Sequence, residues 1–149
     1  MKISVWGPET WLLLHTIPEK IYDDKYTECK NDIFQIISLI SSSVPCPFCR
    51  EHAIQYLRRH NIRLCNTKET LKMYIFNFHN DVNTKLRKNT FPYSSLSKYS
   101  VVNFSLLVRQ YSTNNSKNRT SDLGFSFHRN NNIRTINKLF IRNTYAFSP

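Results

Sequence analysis

Residues 26–49 read YTECKNDIFQIISLISSSVPCPFC, and this stretch decides the fold. Tyr26, Cys29, Ile33, Ile36, Ile37 and Ile40 step by three and four, which predicts a helix over about 26–42 with those side chains on one apolar face and Cys29 in the core. Val44-Pro45 breaks it, and Cys49, His52, Ala53, Tyr56 and Leu57 repeat the spacing, predicting a second helix over about 47–59. The pair Cys46-Pro47-Phe48-Cys49 therefore sits where a helix begins.

Working outward, Leu71, Ile75, Phe78, Val82 and Leu86 define a further helix, opened by Asn66 as N-cap with Glu69 three residues later. Upstream, Pro8 and Glu9 suit the first turn of a helix carrying Trp11, Leu12, Leu14 and His15. Four helices with short connections make an all-α four-helix bundle, with a shorter fifth helix around 94–102 unless the β-branched Val101-Val102 begins a strand.

The 149 residues suffice for one domain and a tail. Glycine occurs only at Gly7 and Gly124, so neither a dinucleotide fingerprint nor a P-loop can be written. The net charge is +11; residues 1–100 contribute +5, and 101–149, with seven basic and one acidic side chain, contribute +6. The last third is also rich in asparagine and has no sustained pattern after about Tyr111, so residues 104–149 are expected to form a solvated basic tail behind a domain over 1–103. Such a tail suits nucleic acid or another acidic surface. The start lacks the unbroken apolar run of a secretory signal. The longest uncharged run, 33–49, is broken by serines and prolines before it could cross a membrane, so a soluble cytoplasmic protein is expected.

At a helix start, free N–H groups and the helix dipole favour a thiolate, so Cys46 and Cys49 suit cycling between dithiol and disulfide. The other readings are two inert thiols, or a structural zinc site from Cys46, Cys49, Cys65 and His52, for which no second C-x-x-C or H-x₃-H completes the pattern. The zinc reading goes with a nucleic-acid-binding protein using Arg119, Arg129, Arg134, Lys138 and Arg142 on phosphates. A thioredoxin-like fold would need strands that this region does not offer.

Three motifs carry a resemblance: Trp6-Gly7-Pro8-Glu9-Thr10-Trp11-Leu12-Leu13-Leu14-His15, Pro45-Cys46-Pro47-Phe48-Cys49-Arg50-Glu51-His52, and His79-Asn80-Asp81-Val82-Asn83-Thr84-Lys85-Leu86-Arg87-Lys88. In this order and spacing they resemble the Erv/ALR family of FAD-linked sulfhydryl oxidases, over about residues 5–100, and most resemble the minimal members encoded by large DNA viruses.

The resemblance implies a four-helix bundle plus a short fifth helix, with FAD at the bundle mouth and Cys49 against the flavin, while Cys46 meets substrate. It implies cofactor-lining roles for Gly7, Trp11, His15, His52, His79, Asn80, Val82, Asn83, Lys85 and Lys88. Tyr74 stands where many members have a tryptophan, placed to stack on adenine. No metal is implied. Leu86-Arg87-Lys88-Asn89 replaces the L-G-K-P often seen there, so a different turn is expected. Cys65 is a free thiol or pairs with Cys29.

The implied activity is oxidation of protein dithiols with O₂ reduced to hydrogen peroxide. No cysteine follows Cys65, so a separate dithiol carrier is the expected substrate. Family members usually form homodimers through the first two helices. A viral member would act in the host cytoplasm and on virion proteins.

Overall fold

The computed structural model describes residues 2–117 and 123–149. The chain forms α1 (Ile3–Lys20), α2 (Tyr26–Ser41), α3 (Pro47–Arg59), α4 (Lys68–Lys85), a 3₁₀ helix (Tyr93–Val101), α5 (Phe104–Lys117) and α6 (Leu123–Arg142). No strand forms among the described residues; Ile21 and Phe147 make one isolated antiparallel bridge. The all-α expectation holds, and α2 and α3 fall where periodicity puts them.

The core follows from the stripes. Leu13, Leu14 and Ile17 of α1, Ile33, Ile36, Ile37 and Ile40 of α2, and Leu71 and Ile75 of α4 are fully buried in one cluster. Cys29 and Cys65 are buried there too, unbonded to each other. The Tyr26 hydroxyl donates to the Cys65 carbonyl at 2.6 Å, tying α2 to the loop before α4.

Several local expectations are corrected. α1 begins at Ile3, a turn before Pro8, which lies inside the helix; proline deletes a single N–H there and the surrounding packing tolerates it. The α4 N-cap is Thr67, in a capping box with Thr70, rather than Asn66 with Glu69. The fifth helix is a nine-residue 3₁₀ run.

The largest correction is the solvated tail. Phe104, Leu107 and Tyr111 of α5 and Ile133, Ile136, Leu139 and Phe140 of α6 join the same core as α1, α2 and α4. Their spacing makes both helices amphipathic, leaving Arg134 and Lys138 exposed. Polar side chains pack with them: Arg129, Asn132 and Asn143 of the α6 region and Asn115 of α5 are also buried. Arg142 pairs with both carboxylate oxygens of Asp32 on α2, at 3.0 and 2.7 Å. Of the five basic residues assigned to phosphates, Arg129 is therefore internal and Arg142 is engaged, while Arg119 lies outside the described residues. No helix is long and apolar enough to cross a membrane among the described residues.

Candidate functional site

A cavity of about 930 Å³ opens between α1, the start of α3, α4 and the segment that follows it. That is at the upper end of the ~300–1,000 Å³ of small-molecule and cofactor sites. Its wall includes Gly7, Trp11, Cys49, His79, Val82, Asn83 and Lys88, seven of the residues singled out in the sequence. His79 and Asn83 stand four apart on α4, so one helical face presents both.

The pair geometry follows from the start of α3. Cys46 is the N-cap and Pro47 the first helical residue. Cys46 Sγ accepts a hydrogen bond from the Cys49 N–H at 3.3 Å, so a sulfur does the capping. Cys49 lies on the cavity wall; Cys46 does not. Both are unbonded thiols. The expected lowering of a thiol pKa at this helix start does not hold for Cys49. Burial first, then the neighbouring Cys46, pushes its thiol up to about 12, against the pull of a backbone hydrogen bond and Lys88.

Behind the wall is an aromatic stack. Trp11 and His79 lie face to face, centroids 4.1 Å apart and planes 9° off parallel. His79 also stacks on Phe91, and His15 on both Phe91 and Tyr99. His15 Nε2 and His79 Nδ1 are 2.8 Å apart. Burial is the main cause that lowers both, His15 to about 3 with help from His79 and Lys98, and His79 to about 4 with help from Lys98 and Lys88. His15 is thus a buried partner of His79 and does not line the cavity.

Other residues singled out in the sequence also stand away from the wall. Asn80 clasps the main chain of Phe91, donating to its carbonyl at 3.2 Å and accepting from its N–H at 2.7 Å. His52 is buried and its Nε2 pairs with Asp81 Oδ2 at 2.6 Å. Tyr74 donates to the His60 carbonyl at 2.6 Å and borders a separate hollow of about 560 Å³. Lys85 is exposed and outside the cavity wall.

Sequence reasoning missed Lys98 and Tyr99, which the 3₁₀ helix folds back onto the cavity. Asp81 was legible only as a letter inside the third motif. Trp6 Nε1 and Ser41 Oγ, on residues of the cavity wall, are buried without a hydrogen-bond partner among the described residues. Such orphans in a native fold point to an unseen partner.

The turn leaving α4 explains Lys88. Lys88 N–H bonds to Asn83 O at 2.8 Å and Arg87 N–H to Thr84 O at 3.1 Å, the paired bonds of a Schellman end. Arg87 adopts φ 55°, the left-handed conformation that glycine takes without penalty. The chain thus keeps the glycine-type turn with arginine in it, and Lys88 arrives on the cavity wall. Among the described residues no three His, Cys, Asp or Glu side chains gather as metal ligands, and the zinc reading lacks its site there.

A helical bundle, a C-x-x-C at a helix start and a large cavity floored by its second cysteine define a redox protein class. Comparison fixes the family: the Erv1/Alr family profile matches residues 8–102, and this chain belongs to that family. A FAD-linked sulfhydryl oxidase of African swine fever virus (isolate Pig/Kenya/KEN-50/1950) is 35% identical over 89 residues, 60% of this chain and 74% of the relative. The FAD-linked sulfhydryl oxidase ERV1 of Oryza sativa subsp. japonica is 31% identical over 86 residues, 58% of this chain and 44% of the relative. The mitochondrial FAD-linked sulfhydryl oxidase ERV1 of Saccharomyces cerevisiae is 29% identical over 85 residues, 57% and 44%.

Proposed function

We propose that this chain is a FAD-dependent thiol oxidase that forms disulfides in protein dithiols through Cys46 and Cys49. The observation that carries the reading is the asymmetry of the pair: Cys49 faces the cavity and Cys46 does not. The names of the relatives support FAD as the occupant, and the chain's own residues fit it. Trp6 Nε1 can donate to, and Ser41 Oγ exchange a hydrogen bond with, a polar ligand atom. Lys88 and Lys98 offer positive charge to a pyrophosphate, and Trp11 lines the cavity with an indole ring held by its stack on His79.

In the reaction, a substrate thiolate attacks Cys46 Sγ of the Cys46–Cys49 disulfide; that S–S bond breaks and Cys49 leaves as a thiolate. A second substrate thiolate attacks the substrate sulfur of the mixed disulfide, and Cys46 leaves. The substrate has lost two electrons and the pair has gained them as a dithiol. A flavin held in this cavity would supply a two-electron acceptor for the dithiol and a route onward to O₂, reduced to hydrogen peroxide. Lys88 favours negative charge at Cys49. His15 and His79 are too firmly neutral to serve as proton donors near neutrality.

The remaining roles follow the same reading. Of the cofactor-contact set, Gly7, Trp11, His79, Val82, Asn83 and Lys88 would hold the flavin from the cavity wall, and His15 and Asn80 would support them through His79 and Phe91. A separate C-x-x-C carrier is the substrate on this reading. The protein acts as a homodimer, in the host cytoplasm and on virion proteins. On this reading residues 1–103 carry the redox pair and the cofactor contacts, and 104–149 are an extension packed into the same core.

The experiment is the visible spectrum of purified protein, with peroxide followed after adding a dithiol. A bound flavin and peroxide are expected. Cys46→Ser and Cys49→Ser should each abolish turnover and keep the colour; an active Cys49→Ser variant sinks the mechanism.

A further inference from the structure

α5 and α6 lie beyond the residues that the family profile matches, yet α6 grips the turn that carries the redox pair. Arg129 Nε donates to the Ser43 carbonyl at 2.7 Å, and Asn132 Nδ2 donates to Ser43 Oγ at 3.1 Å. Ser43 is itself fully buried and bonds back to Leu39 O at 2.6 Å. The next residue is held from the other side: Arg50 donates to the Val44 carbonyl at 3.1 Å, and its guanidinium lies over the Phe125 ring of α6, 3.7 Å from the centroid.

The Arg129 guanidinium is 1% exposed, a costly burial unless its donors are well used. Its Nη1 donates to the carbonyl of Asn115 at 3.1 Å and its Nη2 to the Asn115 side-chain oxygen. Ser43 follows the C-terminus of α2 and Asn115 lies in the last turn of α5. One cation therefore meets the carbonyl ends of two helices, where the helix dipoles favour positive charge.

Only Val44 and Pro45 separate Ser43 from Cys46, and prolines flank Cys46 on both sides. Proline fixes φ, so displacement at Ser43 passes to Cys46 with little slack to absorb it. Thiol–disulfide exchange depends on access to the attacked sulfur and on alignment there. A misplacement of about 1 Å can cost up to ~10²-fold in rate.

We propose that Arg129 is a positioning residue for Cys46: with Asn132 and Phe125, it makes the C-terminal extension part of the redox site by fixing the Ser43–Cys46 turn. The inference rests on the reading of Cys46 and Cys49 as the redox pair.

The test uses the full chain as wild type, Asn132→Ala, Arg129→Lys and Arg142→Gln. Asn132→Ala removes one bond to Ser43 and leaves Arg129 in place, so it keeps the question open if Arg129→Lys does not fold. Lysine keeps the charge and loses the fork that bridges Ser43 to Asn115. Arg142→Gln is the control, loosening α6 at its far end on Asp32 without touching residues 43–46. The readouts are kcat/KM for a reduced dithiol, the equilibrium of the Cys46–Cys49 pair with glutathione, the alkylation rate of Cys46 in reduced protein followed by peptide mass, and Tm.

Asn132→Ala and Arg129→Lys should each change kcat/KM and the Cys46 alkylation rate on the order of tenfold and shift the glutathione equilibrium, with flavin content unchanged. Arg142→Gln should lower Tm alone. Wild-type rates in both clamp variants would overturn the proposal, as would an Arg142→Gln variant that loses kcat/KM in step with Tm. A wild-type protein that oxidises no dithiol would instead overturn the underlying function, and the alkylation rates would still decide whether α6 positions Cys46.

Discussion

His15 Nε2 and His79 Nδ1 share one hydrogen bond of 2.8 Å across the α1–α4 interface, and both rings are held neutral by burial, at about 3 and about 4. One ring must therefore donate and the other accept, so both carry the same tautomer, either both Nε2–H or both Nδ1–H, beneath the cavity wall. Trp11 is stacked on His79, so the pair also fixes an indole of the wall.

This arrangement predicts a pH dependence of stability. Unfolded histidine titrates at about 6.5. With the folded values depressed, the unfolded chain binds more protons between about 6.5 and 3, so folding is fully favoured above pH 6.5 and weakens as pH falls through that window. Tm measured from pH 8 to pH 4 should fall mainly below 6.5. A double variant, His15→Asn with His79→Asn, should flatten that part of the curve; an unchanged slope would move its origin elsewhere.

Gly7 predicts a separation of folding from cofactor binding. A Cβ built there would meet only Ile3 Cγ2, at 3.5 Å, outside its own helical backbone. The fold thus has room for a side chain, and helix propensity would favour alanine by about 0.5–1 kcal/mol. The residue lies on the cavity wall, so a side chain there would project into the space proposed for the cofactor. Gly7→Ala should keep or raise the Tm of the apoprotein and lower the flavin content of purified protein, and Gly7→Leu should lower it further. Full flavin content in Gly7→Leu would show that this part of the wall is unused.

The bundle itself was legible because Ile33, Ile36, Ile37, Ile40, Leu71 and Ile75 form uninterrupted stripes, and a stripe can be read one helix at a time. The C-terminal helices were not legible because their buried faces mix Ile133, Ile136 and Leu139 with Arg129 and Asn132, whose burial depends on partners in α2 and α5. No local pattern announces a partner 86 or 89 residues away. The same holds at the site. Gly7, Trp11, His79 and Asn83 could be found from spacing and resemblance, whereas Asp81 acquires meaning only when α3 brings His52 to it. Lys98 and Tyr99 arrive by a reversal of the chain after α4.

Asn80 predicts a loss transmitted through the backbone. Its amide satisfies both main-chain groups of Phe91, and Phe91 stacks on His15 and His79. Asn80→Ala would leave both groups unpaired in a partly buried setting, costing about 1–3 kcal/mol for each that finds no water. Urea unfolding should show a loss of about 2 kcal/mol, with weaker flavin retention. Loss of flavin with no loss of stability would instead place Asn80 in direct contact with the ligand.

The extension carries the sharpest prediction about the domain boundary. A solvated tail could be removed freely, but here Ile136 is fully buried, and Ile133, Leu139 and Phe140 pack into the cluster that contains Ile33 and Ile37. Truncating one such side chain costs about 2–5 kcal/mol, and a domain has only about 5–15 kcal/mol to lose. Ile136→Ala should therefore lower stability by about 3 kcal/mol in urea unfolding. A chain of residues 1–103 would expose the α2 face that α6 covers, and should be insoluble, or collapsed with a broad thermal transition and no bound flavin. If that truncated chain instead melts cooperatively and stays yellow, the first 103 residues form a complete unit and α6 is a later addition laid over a finished core.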